Sequence, residues 1–140
     1  MKLSIIIPVF NEINYIEEFT NNLKNTFVNE NVEYIFINDG SNDGSGSWLE
    51  NYIKKQPEKN NKFVNLTENT GKGNALHEGI KIFTGDYILF QDSDLELDTK
   101  DSYEMYQILK NDKTIKCIFG SRYLTGKLKS NKNYFNEFVG

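Results

Sequence analysis

The chain has 140 residues, 38% of them hydrophobic and 14% aromatic, with a mean hydropathy of −0.58 and a formal net charge of −4. That is the size and composition of one globular domain burying roughly two-thirds of its unfolded surface, and it points away from a membrane channel, a disulfide scaffold or a multidomain enzyme. A sequence pI near 5.1 argues against a general nucleic-acid binder, which carries a basic excess, but a small phosphate ligand needs only a few local groups.

The segment Leu3-Ser4-Ile5-Ile6-Ile7-Pro8-Val9 is a nearly continuous apolar run, the pattern of a parallel strand buried on both faces. Ile13, Ile16, Leu23 and Phe27, with Phe19 nearby, then recur at roughly helical spacing. Residues 32–37 read as a second strand ending at Asn38-Asp39-Gly40-Ser41. A helix carrying Trp48, Leu49, Tyr52 and Ile53 follows and stops before Pro57. Residues 62–66 form a shorter third strand, and Ala75, Leu76, Ile80 and Phe83 mark a helix starting just after Gly71-Lys72-Gly73. Residues 86–91 are a fourth strand, Tyr103, Tyr106 and Leu109 mark a fourth helix, and residues 115–120 are expected as a fifth strand. Cys117, the only cysteine, sits in that last apolar run and reads as a buried strand residue, which excludes an intrachain disulfide and a Cys-rich metal site. After Arg122 the pattern fades into a polar, basic stretch, and residues 134–138 read as the beginning of a helix.

Strand–helix alternation of this kind predicts an α/β fold: a parallel sheet with helices on both faces. No repeat, low-complexity linker or internal boundary interrupts it. No stretch approaches the ~20 apolar residues of a membrane-spanning helix, and the apolar run at the amino terminus is too short for a signal-peptide core. The expected setting is reducing and cytoplasmic.

In an open parallel sheet, ligands bind beyond the carboxyl ends of the strands. Those ends carry Pro8-Val9-Phe10-Asn11-Glu12, Asn38-Asp39-Gly40-Ser41, Asn69-Thr70-Gly71-Lys72-Gly73, Gln91-Asp92-Ser93-Asp94-Leu95-Glu96 and Gly120-Ser121-Arg122. The Asp92-Ser93-Asp94 element is the sharpest. Side chains two apart in an extended segment project to one side, and two carboxylates there call for a cation between them. Oxygen-only ligands suit Mg²⁺ or Mn²⁺ together with substrate phosphates. An EF-hand is excluded, because Leu97 stands at the required Gly and Tyr103 at the required Glu. Gly71-Lys72-Gly73 before a helix offers backbone N–H groups and a cation to an anion, but it is not a Walker A loop, and the first strand lacks G-x-G-x-x-G. His77 has no second His or Cys to join and reads as a surface helix residue. Arg122, the only arginine, suits bidentate phosphate recognition, with a structural salt bridge as the competing reading.

These motifs, in this order from Ile5 to about Tyr123, resemble the family-two glycosyltransferases of the GT-A fold. The acidic motif and Phe119-Gly120-Ser121-Arg122-Tyr123 look most like the subgroup with dolichyl-phosphate mannosyltransferase and polyprenyl-phosphate glycosyltransferases. The resemblance implies a GT-A nucleotide-sugar-binding domain over residues 1–123, with residues 124–140 the start of an incomplete acceptor-side region. It implies that Pro8, Val9, Phe10, Asn11 and Glu12 line the nucleoside pocket, with Asp39 on the base beside Gly40 and Ser41. Lys72 would lie near the nucleotide, and Asp92 and Ser93 would touch the donor. Asp92, Asp94 and Glu96 would hold the metal, and Asp92, Asp94 and Arg122 would be catalytic. Asn38 departs from the pattern, since the family often has another Asp there.

The implied activity is transfer of a hexose from a UDP-glucose or GDP-mannose type donor, with Mn²⁺ or Mg²⁺ and inversion at the anomeric carbon. A polyprenyl-phosphate acceptor is already ionised near neutral pH and needs no general base; a sugar hydroxyl does, and no distal base is evident. Lys127, Lys129 and Lys132 are the basic residues available downstream for a lipid phosphate. The alternatives are a non-catalytic or truncated nucleotide-sugar-binding domain and, further off, a nucleotidyltransferase. Partners are therefore expected to be a nucleotide sugar and an acceptor such as a lipid phosphate, with no nucleic acid and no transmembrane segment; peripheral membrane attachment and a homo-oligomer stay open.

Overall fold

The computed structural model describes residues 1–56 and 60–120. The order is β1 (Leu3–Val9), α1 (Ile16–Thr26), β2 (Val32–Asp39), α2 (Ser45–Lys54), β3 (Asn61–Leu66), α3 (Lys72–Ile80), β4 (Tyr87–Phe90) and α4 (Thr99–Asn111). The strands form one parallel sheet in the order β3-β2-β1-β4, with Leu3 paired to Val32 on one side and to Tyr87 on the other. Strands β1 and β2 are central, so both of their faces must be covered, which is why they are apolar almost without interruption.

The two faces hold separate cores. Leu3, Ile5, Ile7 and Val9 pack with Val32, Tyr34 and Phe36, under Ile16, Phe19, Leu23 and Phe27, with Leu49 of α2 and Tyr106 of α4. The α1 residues Ile16, Phe19, Thr20 and Leu23 form one buried stripe at helical spacing. On the other face Ile6, Ile35 and Ile37 meet Ala75 of α3. Helix α3 lies close to the sheet: a Cβ at Gly79 would stand 2.4 Å from Cγ2 of Ile6. Helices α1 and α2 thus cover one face and α3 the other, the arrangement that places the next strand, β4, on the far side of β1.

The expected alternation holds through α4, with shifts at the ends. Helix α3 begins at Lys72, one residue before the end of the Gly-Lys-Gly segment, and Phe83 lies beyond it. The expected fifth strand is absent: residues 115–120 form no strand, Cys117 is exposed and Phe119 is 81% exposed. Apolar content alone does not make a strand; it needs a hydrogen-bonded neighbour and a covered face. After α4, the Asp112 side chain accepts hydrogen bonds from the N–H and hydroxyl of Thr114, and the following run joins no ladder. Strand β4 is therefore an edge of the described sheet and is only partly buried. Arg122, Lys127, Lys129, Lys132 and the region 124–140 lie outside the described residues.

Candidate functional site

The strand order reverses between β1 and β4: the chain steps outward through β2 and β3 and then returns to the other side of β1. A crevice at the carboxyl ends of the strands is expected at such a switch point. A cleft of about 250 Å³ lies there, lined by Pro8 and Val9 at the end of β1, Phe10 and Glu12 after it, Asp39 at the end of β2, Asn69 and Gly71 before α3, Lys72 at its first position, and Asp92, Ser93 and Asp94 after β4.

Each wall is tied to the scaffold by its own hydrogen bonds. The Asp39 carboxylate, nearly fully buried, accepts the N–H of Thr70 at 2.8 Å, its hydroxyl at 2.9 Å and the N–H of Gly71 at 2.9 Å. This folds the β3–α3 loop back over the end of β2. Only glycine fits beside it at position 40: φ is +67°, and a Cβ would stand 2.3 Å from the Glu68 carbonyl carbon. The acidic wall is held by the Ser93 hydroxyl, which donates to the Pro8 carbonyl at 3.0 Å, and by buried Gln91, which accepts the Ser102 hydroxyl of α4 at 2.5 Å.

The acidic segment is bent, not extended, so the alternation argument for Asp92 and Asp94 does not describe it; both still face the cleft. Leu95 adopts φ +61°, sparsely populated for a branched side chain and a strain seen mostly where function or packing over-determines the backbone. The turn is closed by the Glu96 N–H donating to the Asp94 carboxylate at 3.1 Å. It carries Glu96 away from the cleft lining, so the expected set Asp92, Asp94 and Glu96 reaches the cleft as two carboxylates. Among the described residues no three acidic, His or Cys side chains gather into a metal-holding group.

The cleft is electrostatically divided. Lys72 Nζ lies 2.5 Å from Asp92 Oδ1. Across from it the Glu12 carboxyl is pushed above its usual range, first by burial and then by the carboxylates of Asp94 and Asp43. Asp43 is itself held low: burial opposes its ionisation, but the Ser45 hydroxyl and the N–H groups of Ile13 and Ser45 outweigh it. Carboxylates gathered around Glu12 disfavour its ionised form, and the same negative charge favours a bound cation. Two hard oxygen donors in an open cleft with room for phosphate oxygens are the donor set on which Mg²⁺ and Mn²⁺ are commonly held, so the residues present fit such an ion.

Asn11, Gly40 and Ser41 do not line the cleft; they brace it. Asn11, at φ +57°, donates its N–H to the Ser41 hydroxyl at 3.0 Å, and its side-chain oxygen accepts the Asn42 N–H at 2.9 Å. Asn38 points to the opposite side, bonded to Asn65 at 2.7 Å. His77 is an exposed helix residue, as its isolation in sequence suggests. Asn69 and Gly71 enter the lining without having been expected there individually. The signal was the carboxylate at Asp39, which needs N–H partners and finds them in this loop.

The fold and cleft are those of a doubly wound α/β domain with its ligand crevice at the switch point. The chain belongs to glycosyl transferase family 2, whose sequence profile matches residues 4–137. It is 30% identical over 148 aligned positions to dolichyl-phosphate beta-glucosyltransferase of Dictyostelium discoideum, covering 98% of this chain and 45% of that protein. It is 33% identical over 126 positions to poly-beta-1,6-N-acetyl-D-glucosamine synthase of Staphylococcus aureus strain MSSA476, covering 89% of this chain and 29% of that protein. The chain thus spans less than half the length of these relatives. Among solved structures, the mannosyltransferase PcManGT of Pyrobaculum calidifontis, in complex with GDP-Man and Mn²⁺, superposes with a TM-score of 0.67 at 24% identity over 76% of this chain and 32% of that one. TarS 1-349 of S. aureus, in complex with UDP, superposes with a TM-score of 0.61 at 27% identity over 79% of this chain and 32% of that one. The fold is that of the GT-A glycosyltransferases.

Proposed function

We propose that the cleft binds the nucleoside diphosphate of a nucleotide sugar together with a divalent cation, and that the protein transfers the sugar to an acceptor phosphate with inversion. The observation that carries this reading is the convergence of Asp92, Asp94, Lys72, Asp39 and Glu12 on one cleft at the switch point. The domain architecture of 1–123 as the donor half and 124–140 as the start of an acceptor region belongs to the same proposal. Relatives in complex with GDP-Man and Mn²⁺ or with UDP support the ligand class.

Asp92 and Asp94 would hold the cation, whose chemistry is to offset charge gathering on the departing diphosphate. The chain's own contribution is positioning. Pro8 and Phe10 offer apolar surface suited to a nucleoside, while the Val9 side chain between them is buried in the core, and Asp39 fixes the loop that presents Gly71 and Lys72. Lys72 lends positive charge at the amino end of α3, where a phosphate is favoured. Glu96, just outside the lining, would support the acidic turn, and Arg122 would add a bidentate phosphate contact. A lipid-phosphate acceptor fits the relative named for dolichyl phosphate and asks for no general base. No helix among the described residues is long and apolar enough to cross a membrane. A polyprenyl acceptor would place the transfer at a membrane surface.

The test is a panel of UDP- and GDP-sugars titrated by calorimetry with Mn²⁺, Mg²⁺ or EDTA, followed by hydrolysis and transfer to polyprenyl phosphate. Metal should be required for tight donor binding. Asp94→Ala should lower metal-supported donor affinity by about tenfold or more, since even outer partners of a metal site cost 10–100-fold. Unchanged binding and turnover in Asp94→Ala would remove the cation from the reading. Tight donor binding without transfer to any acceptor would reduce the protein to a donor-binding domain.

A further inference from the structure

We propose that Lys72 is an exchangeable cation at the acidic turn: its ammonium holds Asp92 until a divalent ion takes that oxygen, and it then moves to the donor diphosphate. This rests on the proposed function and adds to it a second position for Lys72 and an energetic link between metal and donor.

Three observations carry it. First, Lys72 Nζ sits on Asp92 Oδ1 at 2.5 Å, and an ammonium and a divalent cation on the same carboxylate repel each other, so each weakens the other's hold there. Second, the backbone before Lys72 is pinned, while its side chain is held only through its ammonium and is otherwise open to solvent. Asp39 holds Thr70 and Gly71 immediately before it, whereas the Lys72 side chain is 59% exposed. The flexible four-carbon stem can swing across the cleft without moving the loop. Third, the pair is cheap to break. Asp92 is 22% exposed as well, and half-solvated ion pairs contribute little net free energy. The released ammonium stays at the amino end of α3, whose first turn holds no acidic residue to repel an arriving phosphate. Metal binding therefore frees Lys72 for the diphosphate, and diphosphate binding draws Lys72 off Asp92. The two must favour each other, and by the same factor.

The experiment measures Mn²⁺ alone by paramagnetic resonance, UDP and GDP in EDTA by calorimetry, and Mn²⁺ again at saturating diphosphate. The proteins are wild type, Lys72→Met, Lys72→Gln and Lys81→Met, the last removing an equal charge from the far end of α3. Lys72→Met and Lys72→Gln should bind Mn²⁺ alone about two- to fivefold more tightly, the range of an exposed ion pair. They should bind diphosphate more weakly, with less mutual enhancement between the two ligands. Circular dichroism checks folding, and the two Lys72 variants must agree. Equal Mn²⁺ affinity in wild type and the Lys72 variants, with diphosphate binding intact, overturns the exchange and leaves the proposed function standing. A gain matched by Lys81→Met overturns it too, because bulk charge then suffices. Failure of every protein to bind Mn²⁺ or either diphosphate overturns the proposed function and this inference with it.

Discussion

Two charged clusters stand at opposite ends of the same sheet, and they are built on opposite terms. At the amino ends of the strands, Glu33 is 1% exposed and completely engaged. It accepts hydrogen bonds from the Ser4 hydroxyl at 2.6 Å, Lys2 Nζ at 2.9 Å, the Thr84 hydroxyl at 2.7 Å and the Thr84 N–H, with Lys62 Nζ at 3.2 Å. At the carboxyl ends, Asp92 meets one half-exposed lysine, and Glu12 faces other carboxylates. Similar residue types give a closed network in one place and an underfilled one in the other. The closed network locks β1, β2, β3 and the approach to β4 together. The underfilled cluster keeps the electrostatic demand that a ligand can meet.

The largest expected effect tests the closed end. Glu33→Ala strips acceptors from Ser4 and Thr84 inside the sheet while both lysines can still turn toward water, so a loss of about 3 kcal/mol in unfolding free energy is expected. Burial opposes ionisation of Glu33, but hydrogen bonds from Ser4, Lys2 and Thr84 overcome it and hold its carboxyl well below the usual range. The stabilisation is therefore fully present above the unfolded pKa of about 4.3 and is lost as pH falls toward the folded value. Urea melts of wild type and Glu33→Ala should differ most near neutrality and converge in acid. If Glu33→Ala instead lowered donor affinity of the folded protein, the two ends would not be independent.

A smaller effect tests how the open end is held. Gly40→Ala places a methyl group against the backbone of Glu68 and Asn69 at a left-handed φ, costing about 2 kcal/mol. Because that contact seats the loop bonded to Asp39, the variant should also weaken nucleoside diphosphate binding several-fold, read by calorimetry on protein shown to be folded. A pure stability loss with unchanged affinity would mean that the cleft does not depend on this seam.

Much of this was legible in residue order, because the physics behind it is local. Central parallel strands must be apolar on both faces, so β1 and β2 stand out, and the strand-end rule then points at Asp39, Lys72 and Asp92. What was not legible depends on neighbours distant in sequence. Glu33 reads as one polar residue in an apolar strand, and only the sheet order brings Lys2, Lys62 and Thr84 to it. Asn11, Gly40 and Ser41 carry the motif of a lining yet serve as braces, since loop-to-loop hydrogen bonds leave no mark in periodicity. Residues 115–120 have the composition of a strand, but composition supplies no hydrogen-bonded partner.

The smallest effect probes the underfilled end by pH. Glu12 titrates above its ordinary range because burial and the charges of Asp94 and Asp43 disfavour its ionised form. Between the unfolded and the folded pKa the native protein binds more protons than the unfolded chain, so stability falls as pH rises through that window. Below the unfolded value of about 4.3 the penalty is absent, and above the folded value it is complete. Glu12→Gln keeps the shape and removes the charge. It should stabilise the free protein near pH 7 by less than about 1 kcal/mol, given solvent screening in an open cleft, and should have no effect below about pH 4. Saturating Mn²⁺ should shrink the difference, because a cation beside Asp94 relieves the same repulsion that the substitution removes. Thermal melts with and without Mn²⁺ read this directly. A Glu12→Gln gain that persists unchanged in acid or in Mn²⁺ would show that packing, not unmet charge, governs this end of the sheet.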